Sequence, residues 1–455
     1  MKKSLVLFLF LFLALNVAVF CEQVWLKSYS GSGDTIFNSF SITSDGGIVA
    51  VGSAVTSTSP TFLEDGEADT NLLIAKLNTN GEIEWQKSYG ESGSEYGYAV
   101  IESTSGGYVA VGETTSFEAS STDAFIVRVD EGGKVLWAKR IGGSSEDYAV
   151  DVKETDKGDY VVLGVTKTGE KDNTTANYDI FLVGIDEYGS VLWQKQYVGA
   201  GDDVAYNILK TKEGDFVITG ATTSKGLGDY DALVMKTDAG GVVKWQKFFG
   251  TSNDDYGYSL TESKDGGYLL VGETFLKDRK NRTGFSNAYI VRINSFGGDE
   301  WQKSYGFGKN NFAYSAKPLG NHGFVIGGVS KETTGSFAAW TFKIDWSGKI
   351  IWKTGYDFQG NEAVYCAKPQ KDGSLSILGV VNSGTNVYSF LGKGDKEGKF
   401  GSCSYVVDCP IIKQGGSFGS GILSLSTNEG ALTCKGVKEF VKVTESDISE
   451  ETLCE

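Results

Sequence analysis

The sequence is short of the groups most enzymes work with. Its 455 residues hold one histidine, His322. That residue stands where a turn residue is expected, so a histidine-based triad or a zinc site has almost no material. No GxSxG, HExxH or phosphate-loop motif occurs. Cations are outnumbered: 42 Lys and Arg against 58 Asp and Glu give a net charge of −16. A nucleic-acid partner is therefore not expected, because readers of a phosphate backbone need a basic face. Paired carboxylates can support glycoside chemistry, but 58 acids single out no pair. After the N-terminus no apolar run is long enough to span a membrane.

What is present begins with an export signal. Lys2 and Lys3 precede the apolar run Leu5 to Leu15, so residues 1–20 read as a signal peptide. The chain is expected in the cell envelope (periplasm or cell surface) or outside the cell. Membrane anchoring would require lipidation of Cys21, and Phe20 stands where a lipoprotein signal wants a small residue. Six cysteines in an exported chain suggest disulfides. Four of them, Cys403, Cys409, Cys434 and Cys454, crowd into a C-terminal extension at 401–455. That extension is expected to pack on the rim or one face of the main domain, stapled by its bridges. Cys366 lies inside an expected strand and reads as a buried thiol.

Between these ends, residues 22–400 repeat. Tryptophan recurs at Trp25, Trp85, Trp137, Trp193, Trp245, Trp301 and Trp352, a spacing of about fifty to sixty residues that suits propeller blades. Seven residues before each internal Trp stands Asn78, Asp130, Asp186, Asp238, Asn294 or Asp345. Three residues after that Asx comes Gly81, Gly133, Gly189, Gly241, Gly297 or Gly348. This is turn chemistry: the Asx side chain bonds backbone two residues on, and glycine supplies a positive φ. A second turn (DGG at Asp45, SGG at Ser105, DGG at Asp265) precedes each unit, followed by a strand that closes on Gly52, Gly112, Gly164, Gly220, Gly272, Gly328 or Gly379. Each repeat therefore holds four strands. The two middle ones, such as YVAVG and FIVRV, are apolar without alternation, as strands buried on both faces are.

The expected architecture is all-β: a seven-bladed propeller of four-stranded antiparallel blades. The last repeat lacks its Trp, with Ser402 in that place, while the N-terminus begins with an orphan outer strand, VWLKSYSG. Val24 to Ser30 should complete the seventh blade; the rival is Phe400 to Val406. Units such as NTNGEIEWQKSYG and DEGGKVLWAKRIG resemble the tryptophan-docking motif of quinoprotein-like β-propellers. That group spans pyrroloquinoline-quinone dehydrogenases and the propeller lipoprotein of outer-membrane assembly. The whole unit also resembles uncharacterised exported bacterial propeller-repeat proteins. The resemblance covers roughly residues 24–400 and implies the fold; it implies little about activity, because the motif's Trp packs between blades.

Strand alternation puts the tight turns on one face and every long insertion on the other, which is the candidate binding face. Two insertions there carry opposite charge: Glu64, Asp65, Glu67 and Asp69 in blade 1, and Lys277, Arg279, Lys280 and Arg282 in blade 5. The acidic run can hold calcium through carboxylate oxygens, though its spacing is not that of an EF-hand loop; solvated loop charge is the plainer reading. No cofactor is expected otherwise. Glu95, Asp147, Asp203, Asp255 and Glu362 begin the inner strands and are either a ring at the axial mouth or caps for loop amides, and their recurrence favours caps. The leading functional reading is a non-enzymatic binding or scaffold module for a protein or glycan partner. The alternatives are a quinoprotein-like dehydrogenase and a carbohydrate-active propeller, lectin or lyase. The last would need loop aromatics such as Phe62, Phe275 and Phe285 to cluster.

Overall fold

A computed structural model describes residues 24–400, apart from 31–34, 56–69, 118, 169–175, 278–283, 308, 321, 332–336, 359 and 385–386, and the backbone of six short strands beyond residue 400. The fold is a closed ring of seven antiparallel sheets. Its innermost strands are Thr35–Ile42, Glu95–Glu102, Asp147–Glu154, Asp203–Lys210, Asp255–Glu262, Asn310–Pro318 and Asn361–Pro369. The seventh blade is finished by Trp25–Ser30, which pairs antiparallel with Val387–Gly394 through Leu26↔Gly392 and Ser28↔Phe390. The N-terminal strand thus closes the ring, as the orphan repeat predicts, and Phe400 to Val406 does not take that place.

The chain has no single core. Its buried apolar residues fall into seven clusters, one between each pair of adjacent blades. The middle strands supply both walls: Thr70–Leu77 and Asp123–Val129 are buried along their whole length. At the rim, the Trp of one blade docks on the turn glycine of the next. Trp85 donates its indole N–H to the Glu131 carbonyl at 2.9 Å, and Trp137 to that of Glu187 at 2.9 Å. Four residues further on, a tyrosine hydroxyl bonds the turn glycine's carbonyl: Tyr29 to Gly81, Tyr89 to Gly133, Tyr197 to Gly241, Tyr305 to Gly348 and Tyr356 to Gly398. The turn glycine sits at positive φ (+76° at Gly81), where a Cβ would strike Trp25. The Asx partner behaves as expected: Asp130 Oδ1 accepts from the amides of Gly132 and Lys134.

The glycine that closes each second strand has a separate cause. Every inner strand bulges at the same point, between Gly97 and Ala99 in blade 2 and between Gly257 and Ser259 in blade 5. The bulge turns a carbonyl toward the neighbouring strand. A Cβ on Gly112 would lie 1.7 Å from the Tyr96 oxygen, and one on Gly272 would lie 1.7 Å from that of Tyr256.

The C-terminal extension lies along the rim as added outer strands. Val406–Val407 pairs with blade 6, Gly419–Ile422 with blade 4, Ser426–Asn428 with blade 3, Thr433–Gly436 with blade 2, Lys442–Glu445 with blade 1 and Ser449–Cys454 with the closing strand of blade 7. It therefore travels against the order in which the blades are made. Among the described residues only blade 5 keeps four strands. Cys434 sits opposite Ile141 on blade 2 and Cys454 opposite Leu26 on blade 7, with blade 1 between them. Cys403 and Cys409 lie outside the described residues.

Candidate functional site

Of the charged insertions singled out in the sequence, Glu64, Asp65, Glu67, Asp69, Arg279, Lys280 and Arg282 lie outside the described residues, as does Phe62. Lys277 ends a strand and pairs with Gly284. The blade-5 insertion rises on a hairpin, laddered through Thr274↔Asn287, Phe275↔Ser286 and Leu276↔Phe285. This register puts Phe275 and Phe285 on opposite faces of the hairpin, and Phe275 lies over Gly284. Among the described residues, no group of three or more acidic, Cys or His side chains is placed to hold a metal.

The acids that begin the inner strands are caps. Asp147, Asp203 and Asp255 are at most 1% exposed, too buried to line a mouth. Asp147 accepts from the Gly143 amide at 3.0 Å, Asp255 from Thr251 at 2.6 Å, and Glu362 from Gly360 at 2.6 Å. Burial pushes Asp203 up to about 6 and Asp255 up to about 7. The recurrent cation of the third strand is structural too: Lys76 pairs with Asp45 at 2.9 Å and Glu84 at 3.0 Å, and Arg292 pairs with Asp265. A recess of about 870 Å³ at the seam of blades 1 and 2 is lined by those Lys76 partners and by Glu102 and Glu131. Its one cation is already neutralised from within. His322 is an exposed turn residue.

The site that breaks the repeat is the axis. A cavity of about 330 Å³ runs through it, walled by side chains from all seven inner strands. From the bulge of five inner strands a tyrosine enters it: Tyr98, Tyr206, Tyr258, Tyr314 and Tyr365. Blades 1 and 3 put Asn38 and Val150 there instead. Their rings touch in sequence, Tyr206 to Tyr258 at 5.3 Å, Tyr258 to Tyr314 at 5.5 Å and Tyr314 to Tyr365 at 5.8 Å. Two second-strand carboxylates reach the same layer, Glu273 accepting from the Tyr258 hydroxyl and Glu113 bonding Tyr98. Burial holds both above the usual carboxylate range.

Nearer the long-loop face, blades 3 to 5 bring aromatic and acidic groups together. Glu146 accepts from Tyr148 at 2.9 Å and from Tyr178 at 3.0 Å, and pairs with Lys167 at 3.1 Å. Lys167 holds its carboxyl below the ordinary value. In the next blade Asp202 accepts from Tyr230 at 3.0 Å, and the Tyr230 ring stacks on Tyr256 at 5.2 Å. The tyrosines were visible in the sequence at blade spacing. Nothing in one chain marks which inner-strand residues face the axis until the bulge fixes the facing.

Neither a protein-family model nor a curated protein sequence matches the chain. Among solved structures it is similar to the NanB sialidase from Streptococcus pneumoniae, at a TM-score of 0.41 and 12% identity over 81% of this chain and 70% of that one. It is also similar to MPT-4, a mannose phosphorylase from Leishmania mexicana, at a TM-score of 0.30 and 8% identity over 66% of this chain and 82% of that one. Similarity of this degree carries no argument about chemistry.

Proposed function

We propose that this chain is an exported binding module that captures a partner on its long-loop face, with the axial mouth as the centre of the contact. One observation carries the reading: the asymmetric layer in which Tyr148, Tyr178, Tyr230 and Tyr256 are set among Glu146 and Asp202. Flat aromatic faces stack on the apolar faces of sugar rings, and carboxylates accept hydrogen bonds from the hydroxyls. A glycan suits this chemistry best, and a basic protein segment is the other partner it fits. The charged insertions of blades 1 and 5, which the strand alternation of the sequence assigns to that face, would widen the contact. Substituting Tyr230→Ala and Tyr256→Ala together, or deleting 56–69 and 278–283, is expected to abolish capture on a glycan array and from the envelope fraction without unfolding the ring. Full capture by both variants would remove the proposal.

The dehydrogenase reading keeps one support, the docking seam that resembles quinoprotein-like propellers. Dye-linked turnover after addition of pyrroloquinoline quinone and calcium would establish it; no turnover and no cofactor absorbance would leave the binding module.

A further inference from the structure

The opposite end of the axial cavity, near the tight-turn face, has the reverse electrostatics of the chain. Lys153, Lys317 and Lys368 enter it from blades 3, 6 and 7, against a single carboxylate, Asp151. Lys153 is satisfied, donating to Asp151 Oδ1 at 2.6 Å and to the Val152 carbonyl at 3.0 Å. The second oxygen of Asp151 is taken by Asn207 at 2.7 Å and by the Ile208 amide at 3.1 Å. Lys368 donates to the Phe40 carbonyl and lies 4.6 Å over that ring. Lys317 is different. Among the described residues no hydrogen bond or ion pair reaches its ammonium. Its charged surroundings are Lys368 and Lys153, which repel it, and Asp151, which attracts it. Burial first, and Lys368 after it, push this amine down to about 8.

An unpaired ammonium beside two others inside the axial cavity is costly unless an anion joins it. The walls above it are the tyrosine rings, and the space holds a body of roughly ten non-hydrogen atoms at water-like packing. We propose that the tight-turn end of the axial cavity is a receptor for a small organic acid, its carboxylate held by Lys317 beside Lys368 and its apolar body against Tyr258, Tyr314 and Tyr365. This site does not depend on the glycan reading of the opposite mouth.

The test uses the intact mature protein with benzoate and 4-hydroxyphenylacetate as probes, at constant ionic strength in sodium chloride. Reductive methylation read by mass spectrometry should find Lys317 reactive with a midpoint near pH 8. Either probe should slow its labelling several-fold at neutral pH while an exposed lysine such as Lys157 is unaffected. The probes should also raise the melting temperature, and Lys317→Met should abolish that rise while leaving glycan or envelope capture intact. Failure of both probes to protect Lys317, or equal protection by inorganic phosphate, would overturn the organic-acid site. A probe-induced rise that persists in folded Lys317→Met protein would overturn the role of that lysine.

Discussion

The rim seams and the axial cavity are built from the same seven repeats, yet they differ in kind. At the rim, blade after blade repeats one solution: an indole on a turn glycine, and in five seams a tyrosine hydroxyl on that glycine's carbonyl. At the axis, equivalent positions hold Asn38, Tyr98, Val150 or Tyr206, and then Ser41, Lys153, Lys317 or Lys368. A contact that closes a ring must satisfy the same geometry at every joint, so recurrence follows from mechanics. A ligand presents different groups in different directions, so a binding cavity departs from the repeat. The buried Asp147, Asp203 and Asp255 belong to the first kind, and Lys317 and the Tyr230–Tyr256 pair to the second.

The largest effect should come from removing a rim indole. Trp137 is 7% exposed and packs into the cluster between blades 2 and 3, so Trp137→Ala should cost about 3–5 kcal/mol in urea unfolding. A loss below 1 kcal/mol would mean the seams do not hold the ring. Next is Gly112→Ala, whose Cβ would meet the Tyr96 carbonyl. That clash is with backbone and cannot be relieved by a rotamer change, so a loss of about 3 kcal/mol is expected. An unperturbed melting temperature would show that the bulge can shift.

How far such contacts can be read from sequence depends on whether side chains carry them. The turn Asx, the turn glycine and the docked Trp each require a particular residue, so they leave a periodic signature, and the orphan strand at Trp25 foretells the closure. The added rim strands of the C-terminal extension leave none. Thr433–Gly436 and Lys442–Glu445 pair through backbone groups, which any residue but proline supplies. The blade-5 hairpin was hidden by its charged tip, KDRKNR, beside the alternating Phe275 and Phe285. The tyrosine layer was spaced correctly, but its facing depends on seven bulges that composition does not encode.

A smaller effect separates the buried caps from open carboxylates. Asp255 is raised from 3.8 to about 7, chiefly by burial and further by Asp231. The folded chain therefore keeps a proton that the unfolded chain has already released, and this group's contribution to stability falls as pH rises through that window. Asp255→Asn can retain the bond from the Thr251 amide through Oδ1. It should flatten the stability profile between about pH 4 and 7 and, at pH 8, exceed the parent by more than about 1 kcal/mol. An unchanged slope would mean the carboxyl ionises freely in the folded ring.

The finest test compares two seams with each other. Tyr89 donates to the Gly133 carbonyl at 2.7 Å, whereas the joint between blades 4 and 5 has Phe249, fully buried, at the matching position. The two rings differ by one oxygen. Tyr89→Phe should therefore lose about 1 kcal/mol, because a buried carbonyl gives up a partner, and Phe249→Tyr should gain a similar amount by bonding Gly297. Paired urea titrations with equal m-values would read both changes on one scale. Equal and opposite shifts mean that the seven joints are interchangeable parts. A loss at Tyr89 without a gain at Phe249 would mean that the blade 4–5 joint is set differently from the others, beside blade 5, which among the described residues keeps four strands.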